Sequence, residues 1–268
     1  MRSTKLQLLV TLAAVLAAAG IFAAKGLPPQ ATYLSGWAWW GDVAECRRAL
    51  DWGSPVDERT PSGASGMSLG WTPLHWAASN GHKDVAALLI SRKADVDAKS
   101  YEGWTPLHRA IHNRHKDLVE LLIAHGADVN AKGSDHAPLH DAAACADKDI
   151  AELLITRGAA IDGRSKTGET PLHVAAFDSD MTRLLVAHGA DVNAVNENGE
   201  APLHRAARLG CVEVAAILIA KGADINARDN DGKTPHAVAF DDNDDAPQFD
   251  WADRGGVAEW LRQHGARE

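Results

Sequence analysis

Cysteine is scarce in this chain and odd in number, with three (Cys46, Cys145 and Cys211) among 268 residues. None stands in a Cys-x-x-Cys pair, so the commonest dithiol redox motif is absent. There is no Gly-x-Ser-x-Gly and no phosphate-cradling glycine loop, which removes the hydrolase nucleophile elbow and the P-loop. Basic residues are outnumbered, 27 against 36 acidic, for a net charge of −9. That balance argues against non-specific nucleic-acid binding. Tyrosine and phenylalanine are few, two and four, but tryptophan is not. Seven of the nine tryptophans (Trp37, Trp39, Trp40, Trp52, Trp71, Trp76 and Trp104) lie in the first 104 residues.

What the chain has in place of a catalytic motif is repetition. Thr-Pro-Leu-His stands at 72–75, 105–108 and 170–173, with Ala-Pro-Leu-His at 137–140 and 201–204 and a damaged copy at Thr234-Pro235-His236. The prolines at 73, 106, 138, 171, 202 and 235 are spaced by 33, 32, 33, 31 and 33. A fixed period of this size marks a repeat array. Within each period Thr is a helix N-cap whose hydroxyl can take an orphan N–H of the first turn, and Pro fits the first helical position. His75 falls at the third, within reach of the Thr hydroxyl or a neighbouring backbone group. A break at Ser79-Asn80-Gly81 precedes a second amphipathic run, 84–90. The second helix is expected to end at a residue with positive φ, Gly126, Gly158, Gly189 or Gly222. Ala-Asp-Val-Asn and a turn such as Asn198-Gly199 then close the period. Arg114 and Lys93 stand where other copies have glycine, so positive φ is expected there as well. The 31-residue copy, shortened between His173 and Leu184, predicts a truncated helix.

The stretch TPLHRA…DLVELLIAHGADVNA at 105–131 resembles the ankyrin repeat family nearly residue for residue, and the resemblance runs over residues 30–268. It extends to exported bacterial ankyrin proteins, some of which support or protect partner enzymes. It implies an all-α solenoid of about seven helix-turn-helix repeats near 31–70, 71–103, 104–136, 137–169, 170–200, 201–233 and 234–268. The outer two are degenerate caps. It further implies a protein partner held in a concave groove and at the turn tips, with no catalysis, no cofactor and no small-molecule substrate.

Residues 1–24 differ from the rest. A basic start, Met1–Lys5, leads into 19 residues, Leu6–Ala24, broken only by Gln7 and Thr11. This reads as a secretory signal with an A-x-A site at Ala17–Ala19. The rival reading is an uncleaved anchor, since the run just spans a bilayer and its nine Leu, Val, Ile and Phe residues supply roughly −3 to −5 kcal/mol of insertion. A third is a cytoplasmic chain with an unusual terminus. Under the first two the repeats lie outside the cytoplasm, periplasmic or secreted, or tethered as a single-pass scaffold. Residues 25–30 form a linker, 60–70 lengthen a turn, and 241–253 are an acidic insertion.

Candidate site residues follow from the irregularities. Trp71 and Trp104 precede Thr-Pro, Trp76 follows His75, and Tyr101 stands beside them. Such an aromatic cluster, if exposed, fits a binding hot spot; the other reading is packing along the stack. Arg109, Arg205 and Arg208 sit on first helices and would add positive charge. Trp39, Trp40 and Trp52 are expected in the core of the N-terminal cap. His75, His108, His140, His173 and His204 are structural on this reading. A metal-dependent enzyme using His108, His112 and His115, or Asp241–Asp245, is the least favoured alternative. Asp229–Gly232 lacks the carboxylate that a calcium loop needs at its twelfth position, where Phe240 stands. Repeats about 10 Å apart keep the three cysteines beyond disulfide range.

Overall fold

The computed structural model describes residues 34–59, 70–240 and 254–267, and the leader, the linker, most of the 60–70 loop and the acidic insertion lie outside them. The described residues are helical, without strand, and fall into two compact units that part at Ala127 and Asp128.

The first unit holds three helix pairs: α1 Leu34–Trp40 with α2 Val43–Asp51, α3 Pro73–Asn80 with α4 Lys83–Ser91, and α5 Pro106–His112 with α6 Lys116–Ala124. First helices pack on first helices (α1 on α3, α3 on α5) and second helices on second helices. The second unit repeats the plan with α7 Pro138–Ala144, α8 Lys148–Thr156, α9 Pro171–Val174, α10 Ser179–Ala187, α11 Pro202–Arg208, α12 Val212–Ala220, α13 Pro235–Val238 and α14 Arg254–Gln263. As expected, the short copy has only four residues in its first helix, α9. The damaged last copy shows the same truncation in α13.

Each layer is sealed by one leucine from the first helix and a row from the second. Leu74, Leu107, Leu139, Leu172 and Leu203 are buried, as are Leu89, Leu122, Leu154, Leu185 and Leu218. Truncating one to Ala costs about 2–5 kcal/mol. In the first repeat Leu34, Ala38 and Cys46 do this work. Trp39, Trp40 and Trp52 do not: all three are exposed, Trp52 by 77%. The expectation that they form the cap's core is therefore corrected. The layer is sealed by Leu34 with two small side chains, Ala38 and Cys46, and takes none of these three indoles.

The histidines carry the joint between repeats. Thr72 N–H and the Thr72 hydroxyl both approach His75 Nδ1, at 3.2 and 2.8 Å, while Nε2 meets the Trp104 carbonyl at 2.8 Å. A backbone N–H can only donate, so Nδ1 is the acceptor and the proton sits on Nε2. The threonine hydroxyl thus donates to the ring, one of the two partners expected for it. His173 repeats the pattern with Thr170 and the Glu200 carbonyl. In the Ala137 and Ala201 copies the N–H···Nδ1 bond survives without a hydroxyl, at 3.3 and 3.1 Å. In the last copy the histidine is displaced by one residue, and there Thr234 is the ordinary N-cap, accepting from Ala237 N–H at 3.3 Å.

Lys93 and Arg114 have φ of 69° and 59°, as their register predicts, and Ala146 joins them at 52°. Gly81 is needed twice over. Its φ is 73°, and a Cβ there would lie 2.8 Å from the His115 ring, which reaches back to the Ser79 carbonyl.

Candidate protein-binding site

The aromatic residues that the sequence singles out gather in the first unit, because each sits at a fixed register of its repeat. Trp71 and Trp104 immediately precede the capping threonine, and Trp76 and Arg109 immediately follow the capping histidine. The residue after the histidine in one repeat reaches the residue before the threonine in the preceding repeat. Arg109 accordingly lies over Trp71, its guanidinium carbon 4.5 Å from the ring centroid, and is 4.9 Å from the ring of its own Trp104. Trp76 closes the other side of Trp71 at 4.3 Å between centroids, and Trp104 stands edge-on to His108 at 5.4 Å. A guanidinium clasped this way gains on the order of 0.5–2 kcal/mol, more as the site dries. The Arg109 side chain is only 17% exposed, with Glu102 at 3.9 Å.

The tip that carries Trp104 is held rigidly. Trp104 N–H donates to Ser100 Oγ at 3.1 Å, and its carbonyl accepts from Ser100 N–H and His75 Nε2, both at 2.8 Å. Arg59 ties the neighbouring tip by donating to the Gly70 and Lys99 carbonyls at 3.0 and 2.6 Å. Tyr101 lies flat over Gly70, where a Cβ would come within 2.7 Å of its ring, and is 61% exposed.

The cluster is not uniformly exposed. Trp71 is 6% exposed and belongs to the core of the seam, which corrects its place in an exposed cluster. Trp76 and Trp104 are half-buried, so they and Tyr101 form the accessible part. The Trp76 indole Nε1 is buried and has no hydrogen-bond partner among the described residues.

Arg205 and Arg208 lie in the second unit and present no net positive charge. Arg205 is paired with Glu169, and Arg208 with Glu200. Glu169 and Glu200 occupy the register of Trp71 and Trp104, so the slot that holds a ring beside Arg109 holds a carboxylate beside Arg205. The signal was present in the sequence as acidic residues directly before Thr170 and Ala201. Burial raises the Glu200 carboxyl, but the Arg208 hydrogen bond and charge, with help from Asn196, outweigh it and leave it below the usual range. His75 is held down at about 4, chiefly by burial, against the pull of the Trp104 carbonyl and with the cations Arg109 and Arg59 and the neighbouring His108 adding to the depression.

All three cysteines are free thiols, and among the described residues no group of three His, Cys, Asp or Glu side chains converges as a metal set. His108 spends Nδ1 on Thr105 N–H and the Thr105 hydroxyl. No described helix is long and apolar enough to cross a membrane.

Comparison with known proteins agrees with this architecture. The family model described as "Ankyrin repeats (3 copies)" matches residues 45–133 and 139–229. The ankyrin repeat domain of human ASB11 superimposes with a TM-score of 0.73 at 26% identity, over 88% of this chain and 98% of that one. The ankyrin repeat domain of Bcl-3, a member of the IkappaB protein family, gives 0.69 at 27% identity, over 86% and 98%. No curated protein sequence matches significantly. Ankyrin repeat domains are protein-interaction modules, and the chain belongs to the ankyrin repeat family.

Proposed function

We propose that this ankyrin repeat protein is a non-catalytic binder, exported or membrane-tethered, that grips a partner protein through its groove and turn tips in the first unit. The single observation that carries the reading is the Arg109 guanidinium clasped by Trp71 and Trp104, flanked by the accessible Trp76 and Tyr101. Large amphipathic side chains on a fixed frame are the kind that dominate binding energy, each costing about 2 kcal/mol or more when truncated. The buried Trp76 N–H supports it, since an acceptor brought by a partner would offset the roughly 1–3 kcal/mol of an unmet donor. Arg205 and Arg208, neutralised by their carboxylates, are at most secondary contacts. Export or tethering rests on the sequence of residues 1–24 alone.

The test pairs capture of the partner with thermal melting. Trp76→Ala and Trp104→Ala should each weaken capture about 30-fold or more while melting stays near wild type. Trp71→Ala should destabilise the protein, and Trp52→Ala should change neither readout. Intact capture by both Trp76→Ala and Trp104→Ala would end this reading.

A further inference from the structure

We propose that His75 is the positioning residue that assembles the Trp71–Arg109–Trp104 stack, and that protonating it takes the stack apart, so the binding surface is assembled at neutral pH and lost in acid. The inference rests on the groove reading above and supplies its regulation.

Both ring nitrogens of His75 are committed. Nδ1 accepts from Thr72 N–H and the Thr72 hydroxyl, and Nε2–H donates to the carbonyl of Trp104 in the next repeat. The ring also stacks on Trp71, with centroids 6.2 Å apart and planes 26° from parallel. One fully buried imidazole therefore meets the Trp71 ring by its face and the backbone carbonyl that carries Trp104 by its Nε2 proton. A second proton would have to sit on Nδ1, where the Thr72 hydroxyl can turn to accept it but the Thr72 N–H, a donor only, cannot. The ring must then part from that N–H, and the movement drags on the Trp104 carbonyl.

The surrounding charges make that movement large. From α5, Arg109 and His108 face the ring, and Arg59 approaches from the tip after α2. His112 lies exposed at the far end of α5, and α1 carries no ionisable residue. The ionisable residues of α4, Lys83 and Asp84, are exposed, and His82 at its start bonds to the Trp39 carbonyl. A cationic His75 would thus be placed beside the cations Arg109 and Arg59 in a dry setting, where like charges repel strongly. Arg109 lies against the Trp71 and Trp104 rings, with Glu102 at 3.9 Å.

The second unit shows why the device belongs to this repeat. His173 makes the same bonds, with Thr170 at 3.2 and 2.9 Å and the Glu200 carbonyl at 2.9 Å. Beside it stand Glu169 and Glu200, carboxylates that favour the charged ring and carry no aromatic wall.

The experiment follows the indole N–H resonances of the full chain by NMR through an acid titration, with helicity read by circular dichroism. Trp104 is assigned by its loss in Trp104→Phe. The wild-type Trp104 resonance should shift with a midpoint near pH 4, together with the His75 ring proton and before helicity falls. His75→Gln keeps a third-position side chain able to accept the Thr72 N–H but cannot titrate, and its Trp104 resonance should hold still. His173→Gln should leave the Trp104 step in place. A Trp104 step that survives in His75→Gln, or that coincides with loss of helicity, overturns the proposal. If His75→Gln does not fold, the wild type still decides: different midpoints for His75 and Trp104 would sink the coupling. This readout needs no partner, so its failure is separate from a failure of capture by the tryptophan variants.

Discussion

Replacing Thr105 by valine isolates one hydrogen bond at the joint between repeats. Valine has the shape of threonine and lacks the hydroxyl, and Thr105 is fully buried, so the substitution opens no cavity. What it removes is the 2.8 Å bond from the hydroxyl to His108 Nδ1. The ring nitrogen keeps the Thr105 N–H at 3.2 Å, so no buried acceptor is orphaned. The loss should therefore fall in the range of a neutral bond without a desolvation penalty, about 0.5–1.5 kcal/mol. For a chain of this size that lowers Tm by roughly 2–4 °C per kcal/mol. Ala201→Thr is the converse. The N–H···Nδ1 bond is already present at 3.1 Å, and threonine occupies the same buried register at 72, 105 and 170 without strain. It should gain a similar amount, as should Ala137→Thr. The assay is thermal melting of the three variants beside wild type at neutral pH. If Thr105→Val melts with wild type, or Ala201→Thr melts below it, the hydroxyl does not serve the ring and the account of the joint is wrong. A loss above about 3 kcal/mol for Thr105→Val would be equally damaging, because it would mean an orphaned partner.

Lys93→Gly and Ala146→Gly should be neutral to stabilising by about 1 kcal/mol, because both residues sit at positive φ. Gly81→Ala should instead lower Tm measurably, since its Cβ would meet the His115 ring. Acid should destabilise the fold through its buried neutral histidines. His75 titrates near 4 when folded and 6.5 when not, so its contribution is complete above about pH 6.5 and is lost as pH falls toward 4. That is worth on the order of 3 kcal/mol, and denaturant midpoints at pH 7 and pH 4.5 measure it. Residues 1–35 fused to a reporter active only outside the cytoplasm should give activity. A silent reporter would refute export.

The period made most of the fold legible. A helix that starts at proline, a histidine at its third position and glycine after the second helix repeat in register, so helix pairs and turns could be placed without coordinates. The strained positions Lys93 and Arg114 came out of the same alignment, by asking what glycine elsewhere was for. Ala146 was missed because alanine in a helical break raises no alarm, yet the backbone there is as left-handed as at Arg114. The hydroxyl of Thr72 has a task that capping preferences do not describe. Those preferences concern an isolated helix end, and here the imidazole brought by the same motif accepts the hydroxyl's hydrogen bond. The last copy, where the histidine is displaced, shows the ordinary cap returning at Thr234.

The site was legible only in part, and the difference lies between register and burial. Register put Trp71, Trp76, Tyr101 and Trp104 on adjacent repeats of one face, but it gave Arg109 only as added positive charge, and its seat against Trp71 and Trp104 is seen in the structure. Burial depends on which neighbour each side chain meets, and one sequence does not state that. Trp71 is covered by Trp76 and Arg109, whereas Trp52, which looks like core by residue type, follows the last turn of its helix and is 77% exposed. The arginines show how the missing step could be taken. Arg109 and Arg205 hold the same position in their repeats, and what separates them is the residue before Thr-Pro one repeat earlier, tryptophan in one case and glutamate in the other. Reading those two positions as a pair across the repeat boundary turns the sequence into a map of the seam, with an arginine–indole slot in the first unit and an ion pair in the second. The slot that keeps its rings can offer them to a partner, and the slot with its charges matched is already satisfied within the chain.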